Sequence, residues 1–258
     1  MNAALCQFRI EYENKEQNIR RAEKLIASAA DAKAQIIFFP EMSFTGFSMQ
    51  ISLTGETDGE TVRRMQAYAQ KYGIAIGFGW VKKKAHKGEN HYTVVDETGA
   101  ILADYIKIHP FSFSGENDCF DAGDQTAVFT YSGITFGIFI CYDLRFPEIF
   151  RAVSAEAEVL VVAANWPAQR IGHWNKLLEA RALENQSWVL GINCFGDQQN
   201  LHYNGSSRAV NPEGETVECL TDREGIIICE IQNEAALFRK RFPALQDRRN
   251  ALYQKLLG

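Results

Sequence analysis

A short stretch that is apolar without interruption constrains the fold of this chain more than any other feature. Residues 36–39 read Ile-Ile-Phe-Phe and are closed by Pro40. A strand with one face in water alternates apolar and polar residues, whereas this run does not alternate. It is therefore predicted to be a strand that is buried on both faces, which requires layers of structure on either side of its sheet.

Segments with a helical period accompany such strands. Helices are predicted over residues 14–33, 60–72, 148–155 and 173–185, because apolar residues recur there at steps of three and four. Single strands are predicted at 3–10, 74–80, 159–163 and 188–194, and hairpins at 92–108 and 128–141. Three further strands, at 208–210, 215–219 and 225–231, precede a polar, basic tail. One α/β domain over residues 1–258, with a mixed sheet and helices outside, accounts for this order.

The composition is that of a soluble globular protein, with 46% hydrophobic residues, 23% charged residues and a net charge of -5. The one basic cluster, residues 82–87, has no aromatic platform, so it is interpreted as a solvated loop and no nucleic-acid partner is expected. No run approaches the roughly 18 apolar residues of a membrane helix, and the first residues do not resemble a signal peptide. Six scattered cysteines favour reduced thiols and a cytoplasmic location.

Three chemically reactive side chains stand at predicted strand ends, where α/β folds gather their sites. Cys141 follows an apolar strand and precedes a helix, whose free N–H groups favour a thiolate and a developing oxyanion. Glu41 follows the buried strand as a candidate general base, and Lys107 interrupts an apolar strand end. The alternatives are a core cysteine, an ordinary polar residue where a strand surfaces, and a lysine whose stem lies along apolar surface.

Other catalytic patterns fit poorly. The five histidines show no metal-ligand spacing, so a zinc site is not expected, and no dinucleotide, P-loop or serine-nucleophile motif is present. A Cys–His pair, with His109 or His173 as the base, stays open.

The chain resembles the nitrilase superfamily of carbon–nitrogen hydrolases over almost its whole length. The resemblance is carried by three segments in order: Phe38-Phe39-Pro40-Glu41-Met42, Tyr105-Ile106-Lys107-Ile108-His109 and Ile140-Cys141-Tyr142-Asp143-Leu144-Arg145-Phe146-Pro147-Glu148. It implies a four-layer αββα sandwich, assembled into homodimers or larger homo-oligomers. It also implies a Glu41–Lys107–Cys141 triad, and its second glutamate corresponds to Glu116.

The resemblance further implies the order of the chemistry. Glu41 accepts the proton of Cys141, the thiolate attacks an amide carbonyl, and Lys107 with the Tyr142 backbone N–H holds the oxyanion. Ammonia leaves, and water then hydrolyses the thioester, so that the resemblance implies no metal or organic cofactor. Glu116 positions the substrate nitrogen and pairs with Lys107.

Tyr142-Asp143 replaces the Trp-Glu that nitrilases proper usually carry, which favours amides over nitriles. The segment after Cys141 is most similar to the omega-amidase branch, which implies 2-oxoglutaramate and 2-oxosuccinamate as substrates. Arg145 is the candidate for binding the substrate carboxylate, with an ion pair to Glu148 or another acid as its structural alternative. Phe44, Phe47 and Trp166 are predicted to wall the pocket. The other functions considered are a carbamoyl-amide or short aliphatic amide hydrolase and a non-catalytic binding protein.

Overall fold

A computed structural model of the chain describes residues 1–232 and 234–257. The strands in these ranges are β1 (Asn2–Gln7), β2 (Ile36–Phe38), β3 (Ala75–Lys83), β4 (Gly88–Val95), β5 (Ile101–Ile106), β6 (Phe120–Asp121), β7 (Ala127–Tyr131), β8 (Ile134–Ile140), β9 (Val159–Ala164), β10 (Trp188–Asn193), β11 (Phe195–Gln198), β12 (Leu201–Val210), β13 (Thr216–Thr221) and β14 (Gly225–Glu230). The α-helices are α1 (Lys15–Asp31), α2 (Ile51–Thr54), α3 (Glu60–Tyr72), α4 (Glu116–Cys119), α5 (Pro147–Val153), α6 (Ile171–Asn185), α7 (Glu234–Arg241) and α8 (Asn250–Leu257).

The strands form two mixed sheets, where local sequence patterns predicted one. The first sheet has the order β14-β1-β2-β3-β4-β5, with β6 beside β4. The second has the order β11-β12-β10-β9-β8-β7, with β13 beside β12. Helices cover the outer face of each sheet, so the αββα sandwich implied by the family resemblance is confirmed.

Alternate residues of one strand belong to different cores. In β9, Val159 and Val161 join the central core between the two sheets, whereas Leu160 and Val162 pack with α5 and α6. A side chain of this size is stabilised by roughly 1.5–3 kcal/mol when it is fully buried. In a strand that is enclosed on both faces, every apolar side chain contributes this stabilisation. The sequence of such a strand therefore does not alternate between apolar and polar residues.

Most predicted elements form with boundaries shifted by a few residues. The helix over residues 60–72 begins and ends as predicted. It ends at Tyr72 because Gly73 adopts a left-handed conformation with φ of 63° and closes the last turn. Two interpretations need correction: Lys82 and Lys83 lie in β3 instead of a loop, and the basic tail forms α7 and α8. No helix in the described ranges is long and apolar enough to span a membrane.

The fold places several strand ends at one edge of the sandwich. β2 runs parallel to β1 and β3, and β8 runs parallel to β9, which is parallel to β10. Glu41 lies three residues beyond β2, while Lys107, Cys141 and Asn165 directly follow β5, β8 and β9. The carboxyl ends of parallel strands are where open α/β sheets hold their ligands.

Candidate active site

A buried lysine joins two buried carboxylates in this region. Lys107 Nζ lies 2.8 Å from Glu41 Oε1 and 2.8 Å from Glu116 Oε2. The lysine side chain is 1% exposed and both glutamates are fully buried. Burial of a charge is costly unless it is paired and hydrogen-bonded, and here the one ammonium is hydrogen-bonded to both carboxylates.

Two asparagines complete the coordination of Glu41. Asn90 Nδ2 donates to Glu41 Oε1 at 2.9 Å and to Glu116 Oε1 at 3.1 Å. The backbone N–H of Asn165 donates to Glu41 Oε2 at 3.1 Å, and its side chain donates to the Glu41 carbonyl at 2.7 Å. Sequence reasoning missed both, and Asn90 carries no local signal, because it stands between two other polar residues, Glu89 and His91.

A close backbone approach fixes the loop that carries Glu41. A Cβ atom on Gly79 of β3 would lie 2.3 Å from the Met42 backbone nitrogen, so only glycine lets the two segments meet. Ser43 joins them further, since its N–H donates to the Gly79 carbonyl at 3.0 Å. Met42 itself has φ of 42°. A non-glycine residue in this region is strained, which is common beside functional groups.

Cys141 has the same kind of strained backbone. Its φ is 44°, and it begins a short 3₁₀ turn, Cys141–Arg145, directly after β8. Its Sγ lies 3.9 Å from the Asn165 carbonyl oxygen. Since Asn165 also binds Glu41, one residue contacts both the thiol and the carboxylate. The structure therefore brings together Glu41, Lys107, Cys141 and Glu116, the four residues predicted from the sequence as catalytic.

Asp143 organises the turn that follows the thiol. Its fully buried carboxylate accepts hydrogen bonds from the Ile140 N–H at 2.9 Å and from the Tyr105 hydroxyl at 2.8 Å. His109 Nδ1 lies 2.8 Å from the same carboxylate, and its ring stacks on Phe146 at 3.8 Å. Asp143 thereby ties the end of β5 to the nucleophile turn.

The described hydrogen bonds do not support a Cys–His pair. His109 is engaged by Asp143, and His173 Nδ1 lies 3.3 Å from an Arg145 nitrogen. In the described ranges neither histidine is hydrogen-bonded to Cys141. Glu41 is the base that this geometry favours.

The electrostatics keep the lysine charged and the thiol neutral. Burial lowers the pKa of Lys107, but the charges of Glu116 and Glu41 outweigh it and raise that pKa above its usual range. Burial also raises the pKa of Glu116, although the Lys107 ammonium opposes the shift. For Cys141, burial and then the Glu41 charge raise the pKa well above that of an ordinary thiol. The resting thiol is thus protonated and needs a base.

We predict that alkylation of Cys141 by iodoacetamide keeps accelerating as the pH rises beyond about 8.5, the pKa of a free cysteine. The raised pKa keeps the thiolate fraction below that of a peptide thiol at every pH up to that point. Mass spectrometry of the peptide that contains Cys141 measures the rate, with a cysteine peptide as the reference. A rate that levels off below pH 8 would show that the attraction of Lys107 exceeds the effect of burial.

A cavity of about 170 Å³ opens onto these groups. Lys107 and Cys141 line it, and so do four of the five residues predicted to bind substrate: Phe47, Tyr142, Arg145 and Trp166.

The fifth predicted binding residue, Phe44, needs correction. It is not among the residues that line this cavity, because its ring packs in the core beneath α1 and α3, 5.9 Å from Phe39 and 6.4 Å from Phe78. Its carbonyl accepts a hydrogen bond from Asn18 of α1 at 2.8 Å.

Arg145 contacts aromatic and imidazole groups instead of an acid. Its guanidinium carbon lies 4.9 Å from the ring centre of Trp166. The alternative ion pair with Glu148 does not form in the part of the chain that the structure describes. A second cation missed by the sequence reasoning, Arg170, also lines the cavity.

Comparison with protein families gives one match over most of the chain. The family model described as carbon-nitrogen hydrolase matches residues 2–240. The 2-oxoglutaramate amidase of Bacillus subtilis is 33% identical over 96% of this chain and 97% of its own length. Omega-amidase YafV of Escherichia coli K12 is 34% identical, covering 82% of this chain and 83% of its own.

Solved structures agree with this match. A CN-hydrolase superfamily protein from Xanthomonas campestris superposes with a TM-score of 0.90 at 28% identity, covering 96% of this chain and 97% of that one. An amidase of the nitrilase superfamily from Nesterenkonia AN1 has a TM-score of 0.89 at 25% identity, over 99% and 97% of the two chains. A mutant of the Nesterenkonia amidase has been solved with butyramide.

Proposed function

The chain belongs to the carbon–nitrogen hydrolase family and is an amidase of the nitrilase superfamily, and on that premise we propose its substrate and mechanism. It releases ammonia from the terminal amide of short dicarboxylic acid monoamides such as 2-oxoglutaramate and 2-oxosuccinamate. The observation that carries this proposal is the presence of the Arg145 guanidinium in the same cavity as Cys141. The names of the Bacillus and Escherichia relatives support the same substrates.

The first half of the reaction forms a thioester. Glu41 accepts the Cys141 proton, and the sulfur attacks the amide carbon, so that the carbonyl π electrons move onto oxygen. The Lys107 ammonium and the Tyr142 backbone N–H stabilise that oxyanion, and a single donor of this kind typically lowers the barrier by about 3 kcal/mol. When the oxyanion collapses, the C–N bond breaks and Glu41 returns the proton to the departing nitrogen, which leaves as ammonia.

The second half regenerates the thiol. Glu41 accepts a proton from water, whose oxygen attacks the thioester carbon. The C–S bond then breaks, Glu41 returns the proton to the departing sulfur, and the carboxylic acid product leaves Cys141 as a free thiol. Each of these electrostatic interactions is stronger in a buried site than in bulk water.

Glu116 supports this cycle through Lys107. Its Oε2 accepts from Lys107 at 2.8 Å and from the Phe111 backbone N–H at 2.5 Å. It therefore keeps the ammonium charged when Glu41 is protonated, and it fixes the loop whose Phe111 side chain lines the cavity. Glu116 is proposed to hold the substrate nitrogen as well, as the family resemblance implies.

A short aliphatic amide is the second candidate substrate class. Phe47, Phe111 and Tyr142 give the cavity apolar walls, and a Nesterenkonia relative binds butyramide. A carbamoyl-amide hydrolase stays a prediction without a specific observation in its favour. The cytoplasmic location and the homo-oligomeric assembly also stay predictions from the sequence.

Ammonia release from four amides separates these candidates. We expect kcat/KM for 2-oxoglutaramate to exceed that for butyramide by about 100-fold, because hydrogen bonds to a charged group typically contribute about 1.5–3 kcal/mol each. Glutamine and a carbamoyl amino acid complete the panel, and the Cys141→Ala protein provides the blank. Faster hydrolysis of butyramide would move the enzyme to the aliphatic amidases, and faster hydrolysis of the carbamoyl compound would move it to the carbamoyl-amide hydrolases.

A further inference from the structure

We propose that Arg170 is a specificity-determining residue that binds the substrate carboxylate together with Arg145. The inference rests on the proposed function, because it concerns the same cavity and the same anionic amides. Neither the predicted motifs nor the relatives' names assign a role to Arg170.

One indole ring positions both arginines. Trp166 Nε1 donates to the Arg170 carbonyl at 2.9 Å, and the Arg170 N–H donates to the Pro167 carbonyl at 3.0 Å, which closes the short turn that carries the residue. The face of the same indole supports the Arg145 guanidinium at 4.9 Å. Arg145 is held from another side by His173. Trp166, which is only 3% exposed, therefore contacts both arginines and holds them near each other.

The Arg170 guanidinium keeps its hydrogen-bonding capacity for a ligand. Its carbon lies 5.5 Å from the ring centre of Phe111, a contact that orients the fork without using its N–H donors. Over residues 1–232 and 234–257, no carboxylate forms an ion pair with Arg170 or Arg145. An arginine presents five N–H donors in a planar fork that matches the two oxygens of a carboxylate.

The charge balance of the cavity points to the same ligand. Glu41 and Glu116 pair with Lys107, and no carboxylate-bearing residue is found among the described residues that line the cavity. Among the described residues that line the cavity, the two arginines are therefore the charged groups that have no ionic partner in the protein. A carboxylate has about four lone-pair sites and can accept from both guanidinium groups at once.

The test compares an anionic and a neutral amide in matched variants. We expect Arg170→Gln to lower kcat/KM for 2-oxoglutaramate about 30-fold, mainly through KM, and to lower kcat/KM for butyramide less than about threefold. Arg170→Lys keeps the charge without the fork, so its loss should be intermediate. Arg63→Gln, on an exposed arginine outside the cavity, is the control and should match wild type.

A double variant tests whether the arginines share one carboxylate. The loss in Arg145→Gln/Arg170→Gln should be smaller than the product of the two single losses, because each single change already weakens the common interaction. If the loss in the double variant equals the product of the two single losses, the proposal that both arginines bind one carboxylate is overturned. Equal losses on 2-oxoglutaramate and butyramide in Arg170→Gln, at unchanged Tm, would overturn the specificity role.

Binding without turnover separates this inference from the proposed function. In the Cys141→Ala background, calorimetry with glutarate should show about 30-fold weaker binding when Arg170→Gln is added. Unchanged glutarate affinity would overturn the role of Arg170 even if wild type hydrolyses 2-oxoglutaramate. If wild type prefers butyramide but glutarate binding still depends on Arg170, the proposed substrate fails and Arg170 stands as a carboxylate-binding residue.

Discussion

Cys141→Ala is expected to lower kcat on the best amide by more than about a thousandfold, because loss of a nucleophile removes the covalent route altogether. The fold should persist, since Cys141 stands at the end of β8 and the turn after it is held by the Asp143 hydrogen bond to Ile140. Ammonia release under saturating substrate gives kcat, and the thermal midpoint reports the fold.

Cys219→Ala is the matched control for that substitution. Cys219 is an exposed free thiol in β13, outside the cavity, so its removal should leave kcat unchanged. Residual activity of Cys141→Ala above about a thousandth of wild type would contradict the assignment of the nucleophile.

Lys107→Met is expected to reduce both activity and stability. The change removes the only described cation between two fully buried carboxylates, Glu41 and Glu116. Removal of one member of a buried charge pair typically costs about 3–5 kcal/mol of folding free energy. For a chain of this size each kcal/mol lowers Tm by about 2–4 °C, so Tm should fall by about 10 °C. Loss of an oxyanion donor should lower kcat about 100- to 1,000-fold.

A second substitution separates the two effects of Lys107→Met. Adding Glu116→Gln removes one of the two facing charges, so the double variant should regain much of the lost Tm while kcat stays low. Lys71→Met is the exposed control: its partner is Glu23, and such surface pairs contribute about 1 kcal/mol or less. A change in KM alone in Lys107→Met would contradict its role in the transition state.

The sequence predicted the parts of the site that are fixed by local pattern. Glu41, Lys107 and Cys141 each end or follow an apolar strand, and the topology of parallel strands brings such ends together. Asn90 and Arg170 escaped prediction because their roles depend on neighbours far away in the chain. Asn90 bridges Glu41 and Glu116, and the Arg170 guanidinium lies over the ring of Phe111, in the segment that follows β5.

Layering was also beyond local pattern. The sequence pattern of each strand indicates that the strand is buried, but it does not indicate which of the two sheets the strand joins. Residue periodicity alone therefore predicted a single sheet. Phe44 illustrates the same limit: an aromatic side chain three residues past Glu41 fits a pocket wall or a core equally well by pattern. The structure shows that Phe44 belongs to the core, because its ring packs between Phe39 and Phe78.

The pairing of the first strand with the last has a consequence for biosynthesis. β1 runs antiparallel to β14, with Asn2 opposite Glu230, so this edge of β1 stays unpaired until residues 225–230 have left the ribosome. An unpaired apolar edge of this kind invites pairing with other chains. The nascent protein is therefore exposed to aggregation through this edge until residues 225–230 emerge. A ribosome-stalled fragment that ends before Gly225 should depend on chaperones far more than one in which residues 225–258 have also emerged.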